Sequence, residues 1–354
     1  MTQTRTDRLL ERLEDLDSDA ILVTGAANRR YLSGFTGTAG VLLIAAANRC
    51  LITDSRYTEQ AWGQAKGFDV IEDSDTLGRI AAWVVEHSIG RLGIEVEHTS
   101  LKQYEELIAC LANLEKSPEI ARLEDVIETQ RTVKDAAELA AIREAVRLAD
   151  DIMAWAEKSL RVGVSERELS MDLEYRMRQL GGDGPAFSTI VASGVNAAMA
   201  HHEPSEEKIV AGVPIVIDLG VRLDGYCSDI TRTFILGSPD GVFREVYEIV
   251  LEAQLAVETG MRSGMTGREA DDLARNIIAG ANYAANFGHG TGHGVGLEIH
   301  EAPRISPKGT NVLMAGAVTS VEPGIYLQGW GGVRIEDLVV LRENDVEVLT
   351  QATK

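Results

Sequence analysis

Residues 213–235 read VPIVIDLGVRLDGYCSDITRTFI, and no other stretch of the chain restricts its fold so tightly. Two runs rich in β-branched residues flank Asp224-Gly225, a dipeptide that marks a two-residue hairpin turn because both positions tolerate positive φ. Such a turn sets the register: Leu223 faces Tyr226, and Gly220 faces Asp229. Side chains alternate along a strand, so Asp218, two residues before Gly220, shares a face with Asp229. Diagonal neighbours of this kind have Cα atoms roughly 7–8 Å apart, and their carboxylates can converge. Two negative charges aimed at one spot of a sheet repel unless a cation lies between them. Ile217 and Ile230 have the opposite parity and are expected in the core. Asp224 is a turn residue and needs no further role.

This hairpin falls in the second of two expected domains. At 354 residues the chain can form two domains that each bury a core without staples. In its first third, short apolar runs (20–24, 40–46, 50–53, 92–96) alternate with helical patterns (58–65, 77–87, 101–114). That alternation predicts an α/β domain. Residues 115–134 carry one strand-like run amid charge, which places a boundary there and gives domains 1–127 and 128–354. The second domain opens on a long helix from Ala136 to about Leu160. Capping boxes at Ser165-x-x-Glu168 and Thr266-x-x-Glu269 start two more, the first ending at Gly181-Gly182. Strand-like runs at 188–192, 214–220, 226–236, 318–322 and 333–341 complete an α+β pattern with an antiparallel sheet.

Charge and cysteine content exclude several partners. There are 55 acidic against 34 basic residues, a formal net charge of −21. The excess is spread along the chain, and it argues against nucleic acid or an anionic membrane, both of which require basic surface. Three cysteines, Cys50, Cys110 and Cys227, make no disulfide framework and fit a reducing compartment. The start of the chain lacks an apolar h-region, and the longest apolar run is about half of a membrane span. The expectation is a soluble, cytoplasmic protein.

The remaining candidates cluster in the second domain. Five of the seven histidines lie there: His201, His202, His289, His293 and His300. FGHGTGHGVGLEIHE (287–301) fits neither a dinucleotide fingerprint nor a P-loop, so its histidines need another account. A neutral imidazole in a Gly-rich loop serves as a metal ligand or an acid/base group. Glu322 ends one apolar run, and Glu336 lies within another. A glutamate pointing inward from such a run is costly unless paired or metal-bound. By alternation Arg334, Glu336 and Leu338 share a face, so Arg334 is expected to hold Glu336 by a charge-assisted hydrogen bond. Oxygen-rich ligation with one imidazole and no cysteine suits Mn²⁺, Co²⁺, Fe²⁺ or Zn²⁺. Four carboxylates balance two divalent ions, and such a pair activates a bridging water and polarises a carbonyl. There is no G-x-S-x-G elbow and no H-E-x-x-H motif.

Five stretches now bear comparison with a known family: FSTIVASGVNAAMAHHEP (187–204), VIDLGVRLDGYCSDITRTF (216–234), GHGTGHGVGLEIHEAP (288–303), VEPGIY (321–326) and GGVRIED (331–337). In this order they resemble the pita-bread metallopeptidases, specifically the Xaa-Pro aminopeptidase and Xaa-Pro dipeptidase (prolidase) branch. NRRYLSGFTGTAG (28–40) and LITDSRYTEQA (51–61) are similar to its creatinase-type N-terminal domain. Ala200 departs from the proline that many relatives carry before the histidine. The resemblance implies that Asp218, Asp229, His293, Glu322 and Glu336 hold two divalent ions, Mn²⁺ foremost, with Asp229 and Glu336 bridging. It implies that His201 and His300 meet the substrate, that His289 supports them, and that Glu322 takes the proton of the attacking water. Arg334 is grouped with these catalytic candidates. The implied substrates are proline-containing peptides, and the implied assembly is a homodimer. Two alternatives stay open: another amide or amidine hydrolase on this fold, creatinase-like or ectoine-hydrolase-like, and a non-catalytic binding protein.

Overall fold

Apolar runs in the first third assemble as one six-stranded sheet, in the order 69–72, 49–53, 41–45, 20–23, 91–95, 119–123. The computed structural model describes residues 4–354 and divides them into two units, one ending at Arg131 and one spanning Thr132–Lys354. The sheet of the first unit is mixed. Only three residues separate Val41–Ala45 from Arg49–Thr53, too few for a crossover, so these two strands pair antiparallel. Val41–Ala45 also pairs antiparallel with Ala20–Val23, whereas the outer pairs are parallel. Leu43, Ile52, Ile80, Trp83, Leu92 and Leu107 fill one core of this unit. Helix Ala26–Ser33 was not anticipated, because AANRRYLS has no apolar period; its Asn28 and Arg29 are nonetheless buried.

In the second unit every strand pair is antiparallel. Ser165 caps helix Glu166–Gln179 and Thr266 caps helix Gly267–Gly280, each with its expected reciprocal glutamate. Asp135 does the same with Glu138 for helix Ala136–Ser159. A further helix, Gly241–Gly260, lay outside the expectations. Its buried Phe243, Val246, Val250, Ala253 and Val257 repeat at three and four residues, so the signal was present.

The hairpin has the expected register. Leu223 pairs with Tyr226, Ile230 with Leu219, and Thr231 with Asp218, around a turn in which Asp224 and Gly225 have φ of 46° and 71°. Two strands are shorter than the sequence suggests. The second arm is interrupted at Ser228 and Asp229, where the Ser228 hydroxyl caps the Val221 amide. The run 333–341 breaks at Ile335 and Glu336: Gly331–Arg334 pairs with Gly324–Leu327, and Asp337–Leu341 pairs with Val318–Val321. Both breaks put a carboxylate where no ladder partner constrains it.

Behind the hairpin Ile217 and Ile230 are buried with Leu173, Met177, Val191 and Leu219, as their parity predicts. Ile217→Ala should therefore lower stability by about 2–5 kcal/mol, the range for a buried Ile truncated in a core. Urea denaturation followed by far-UV circular dichroism checks it; a loss below about 1 kcal/mol would remove Ile217 from the core.

Candidate metal centre

Three elements bring their carboxylates together. Asp218 comes from strand Pro214–Leu219, Asp229 from the interrupted hairpin arm, and Glu336 from the break before Asp337–Leu341. Glu322 follows strand Val318–Val321, and its amide is held by the Thr291 carbonyl at 2.8 Å. Ligand atoms of Asp229, His293 and Glu336 all lie within 4.8 Å of one another. His293 Nε2 stands 3.6 Å from Asp229 Oδ2 and 3.3 Å from Glu322 Oε1.

Their electrostatics show the strain of this arrangement. Burial, and then the charges of Glu336, Asp218 and Glu322, push the Asp229 carboxyl well above the usual carboxylate range. Glu336 is driven up the same way, by burial and by Glu322 and Asp218. Asp218 is raised by burial, with Arg334 opposing. Burial also acts on Glu322, but the His293 hydrogen bond and charge outweigh it and bring Glu322 to about 2. Crowded in this way, the carboxylates call for positive charge among them.

A divalent cation fits these residues on two observations. Asp218 Oδ1 is buried with no hydrogen-bond partner, although its Oδ2 accepts from Arg334 Nη2 at 2.6 Å. His293 Nδ1 lies 3.1 Å from the Gly294 carbonyl, so this nitrogen carries the hydrogen and a neutral ring aims its Nε2 lone pair at two carboxylates. That orientation is repulsive unless a proton or a metal intervenes, and an Nδ1–H held by a backbone carbonyl is the usual support of an Nε2 metal ligand.

Arg334 does not play the part expected of it. The strand break at 335–336 cancels the alternation, and the guanidinium turns to Asp218 instead of Glu336. Its link to Glu336 is indirect: Arg334 Nε donates to Thr231 Oγ1 at 3.0 Å, and that hydroxyl donates to Glu336 Oε2 at 2.6 Å. Leu338, expected on the same face, packs in the core with Val318 and Val340. Arg334 Nη1 donates to Tyr326 Oη at 2.9 Å, and Tyr326 in turn meets His289 Nε2 at 2.9 Å. His289 Nδ1 donates to the Gly290 carbonyl at 2.7 Å, and burial lowers its pKa, so the neutral ring accepts from Tyr326. His289 thus reaches the site through Tyr326 and Arg334, not directly. Tyr326 escaped the sequence reading because nothing local sets it apart.

The glycines beside His293 have a steric reason. A Cβ on Gly292 would collide with the Ser320 carbonyl, and one on Gly294 with the Ala302 carbonyl. The strand carrying His293 can therefore lie close between its neighbours. Asp271, fully buried on helix Gly267–Gly280, accepts from the Thr291 amide and hydroxyl and pairs with Arg275, whose guanidinium holds the Phe287 and His289 carbonyls. Sequence reasoning passed over both, because the segment they anchor lies at least 12 residues away in the chain.

His300 is exposed and sets its ring edge-on against His293, with centroids 4.3 Å apart. Partial desolvation on the side that meets His293, then the charge of His293, lowers its pKa. His201 is exposed, next to Ala200, whose carbonyl accepts from Arg334 Nη1 at 3.3 Å. His202, given no role, is engaged elsewhere: its Nε2 lies 2.8 Å from the buried carboxylate of Glu166.

A family model described as metallopeptidase family M24 matches residues 140–343, more than half of the chain. The chain belongs to metallopeptidase family M24. A second model, the creatinase/prolidase N-terminal domain, matches residues 5–133. This M24 chain is 36% identical over 353 residues to an Xaa-Pro dipeptidase of Pyrococcus horikoshii, across 99% of its own length and 97% of the relative's. It superposes on an Xaa-Pro dipeptidase structure from Bacillus anthracis with a TM-score of 0.95 and 40% identity, covering 99% and 98% of the two chains. An X-Pro aminopeptidase structure from Thermotoga maritima gives 0.89 and 37%, covering 97% and 98%. The fold class is therefore a creatinase-type N-terminal domain followed by a pita-bread catalytic domain. Among the described residues no helix is long and apolar enough to cross a membrane.

Metal removal by chelation should lower the thermal midpoint of this M24 protein, and added Mn²⁺ should restore it. Binding to the folded state alone stabilises by about 2.7 kcal/mol at a free metal concentration a hundred times Kd. Differential scanning fluorimetry checks this, and in Glu336→Ala the midpoint should no longer respond to Mn²⁺.

Proposed function

We propose that this chain is a metal-dependent hydrolase of the Xaa-Pro peptide bond, acting on dipeptides or at the N-terminus of longer peptides. One observation carries the reading: three buried carboxylates, the half-buried Glu322 and the Nε2 of His293 converge in a chain that aligns along nearly its whole length with Xaa-Pro dipeptidases. The ligands proposed are Asp218, Asp229, His293, Glu322 and Glu336. Two divalent ions, Mn²⁺ foremost with Co²⁺, Zn²⁺ or Fe²⁺ as alternatives, supply an activated water and polarise the scissile carbonyl when bound.

The chain's own residues do the rest. Asp229 and Glu336, at the two strand breaks, would hold the ions together with Asp218, His293 and Glu322. Glu322, held ionised beside His293, accepts the proton of the nucleophile at its carboxylate. His201 and His300 stand exposed beside the centre and donate hydrogen bonds to the carbonyl oxygen as negative charge grows on it. Arg334 neutralises Asp218 on the side away from the ligand atoms, and Tyr326 and His289 brace Arg334. Proline-containing peptides are the proposed substrates. A cytoplasmic homodimer completes the reading: Cys50, Cys110 and Cys227 are all free, as a reducing compartment keeps them, and dimerisation rests on the family resemblance.

Metal-free protein reconstituted separately with Mn²⁺, Co²⁺ and Zn²⁺ should hydrolyse Ala-Pro or Gly-Pro, or longer Xaa-Pro peptides, with at least one of these ions. Release of free amino acid or shortened peptide is measured by chromatography. Asp229→Ala and Glu336→Ala should each abolish cleavage. Activity surviving in either variant without metal would sink the metal-centre assignment.

A further inference from the structure

Glu166 is the first residue of helix Glu166–Gln179, and its side chain is fully buried in the second unit. A buried carboxylate this far from the metal centre in sequence needs a compensating set of donors. It has five. Oε1 accepts from the Ser193 amide at 2.8 Å and from Asn196 Nδ2 at 3.0 Å. Oε2 accepts from the Ser205 amide at 3.1 Å and the Ser205 hydroxyl at 2.7 Å, and faces His202 Nε2 at 2.8 Å. Burial raises its pKa, but these donors, Ser205 and Asn196 foremost, overcome that and hold it ionised.

The donors have one thing in common. Ser193 and Asn196 precede His201, and His202 and Ser205 follow it. One carboxylate therefore closes the segment 193–205 into a loop with His201 at its exposed edge. The other contacts are fewer. Arg334 Nη1 reaches the Ala200 carbonyl at 3.3 Å, and a Cβ on Gly332 would strike the Ala197 carbonyl, so strand Gly331–Arg334 lies close against the loop. His201 Nε2 and Nδ1 make no contact with Glu166. The effect of Glu166 on His201 must pass through the loop backbone.

We propose that Glu166 is a positioning residue for the Xaa-Pro reaction: by gathering donors from both sides of His201, it holds that imidazole where it meets the substrate. This rests on the proposed function. Glu166→Gln keeps the shape but removes the charge and presents an NH₂ group to donors. It should lower kcat/KM for Ala-Pro by about tenfold or more, as small misplacements of a substrate-facing group do. Bound metal content should stay unchanged, since none of the five ligands touches Glu166.

The decisive arm is a double-mutant cycle with His201→Ala. If Glu166 acts through His201, Glu166→Gln costs less than about twofold once His201 is gone. A general weakening of the fold would cost as much in both backgrounds and would overturn the proposal, as would an undiminished kcat/KM in the single variant. Hydrogen exchange across residues 193–205 supplies a readout independent of catalysis, and faster exchange there in Glu166→Gln is expected. Should that variant not fold, His202→Leu removes one of the five donors, and an unchanged kcat/KM in it would overturn the proposal. Wild-type protein inert toward Ala-Pro with every metal would overturn the reaction itself, which the wild-type arm separates from failure of the positioning role.

Discussion

Like charges crowded into a buried volume set the terms for the second unit. Asp218, Asp229, Glu322 and Glu336 converge from four chain segments, and each raises the cost of ionising its neighbours. Moving one carboxylate from water into a protein interior costs several kcal/mol even after relaxation. The surrounding structure is arranged to bear that cost. Arg334 neutralises Asp218 from behind, and the Thr231 hydroxyl donates to Glu336. Arg232 donates to the carbonyls of both Thr231 and Glu336 and pairs with Asp337, so it clamps the hairpin to the segment carrying Glu336.

The histidines are supported in a graded way. His293 is fixed by its amide, which donates to the Ser320 hydroxyl, by its Nδ1 bond to the Gly294 carbonyl, and by glycines that allow close approach of its neighbours. His289 is locked between Gly290 and Tyr326 and stays neutral. His201 and His300 are exposed, and freedom at such positions suits groups that must engage an incoming substrate. Precision therefore falls off outward from the carboxylate cluster, and Glu166 and Asp271 restore it from beneath the loops.

Much of this centre was legible locally. Asp224-Gly225 set the hairpin register, and period two then placed Asp218 and Asp229 on one face. Capping boxes at Ser165 and Thr266 located the starts of two helices to within a residue. Alternation failed at Arg334, because it holds only while a strand continues, and this one leaves its sheet at Ile335. Helix Ala26–Ser33 was invisible for a different reason: it buries Asn28 and Arg29 through hydrogen bonds, such as Arg29 Nη2 to the Gly37 carbonyl, that no hydrophobic period reports.

What the sequence determined by itself is whatever a few adjacent residues decide: turn type, parity, helix starts, and the set of side chains able to bind a metal. Tertiary structure alone decided which partner each buried charge takes. Arg334 is two residues from Glu336 yet bonds Asp218, 116 positions away, and Glu166 gathers donors from 27 to 39 positions downstream. Burial makes an unpartnered charge so costly that geometry in space, not proximity along the chain, selects the partner.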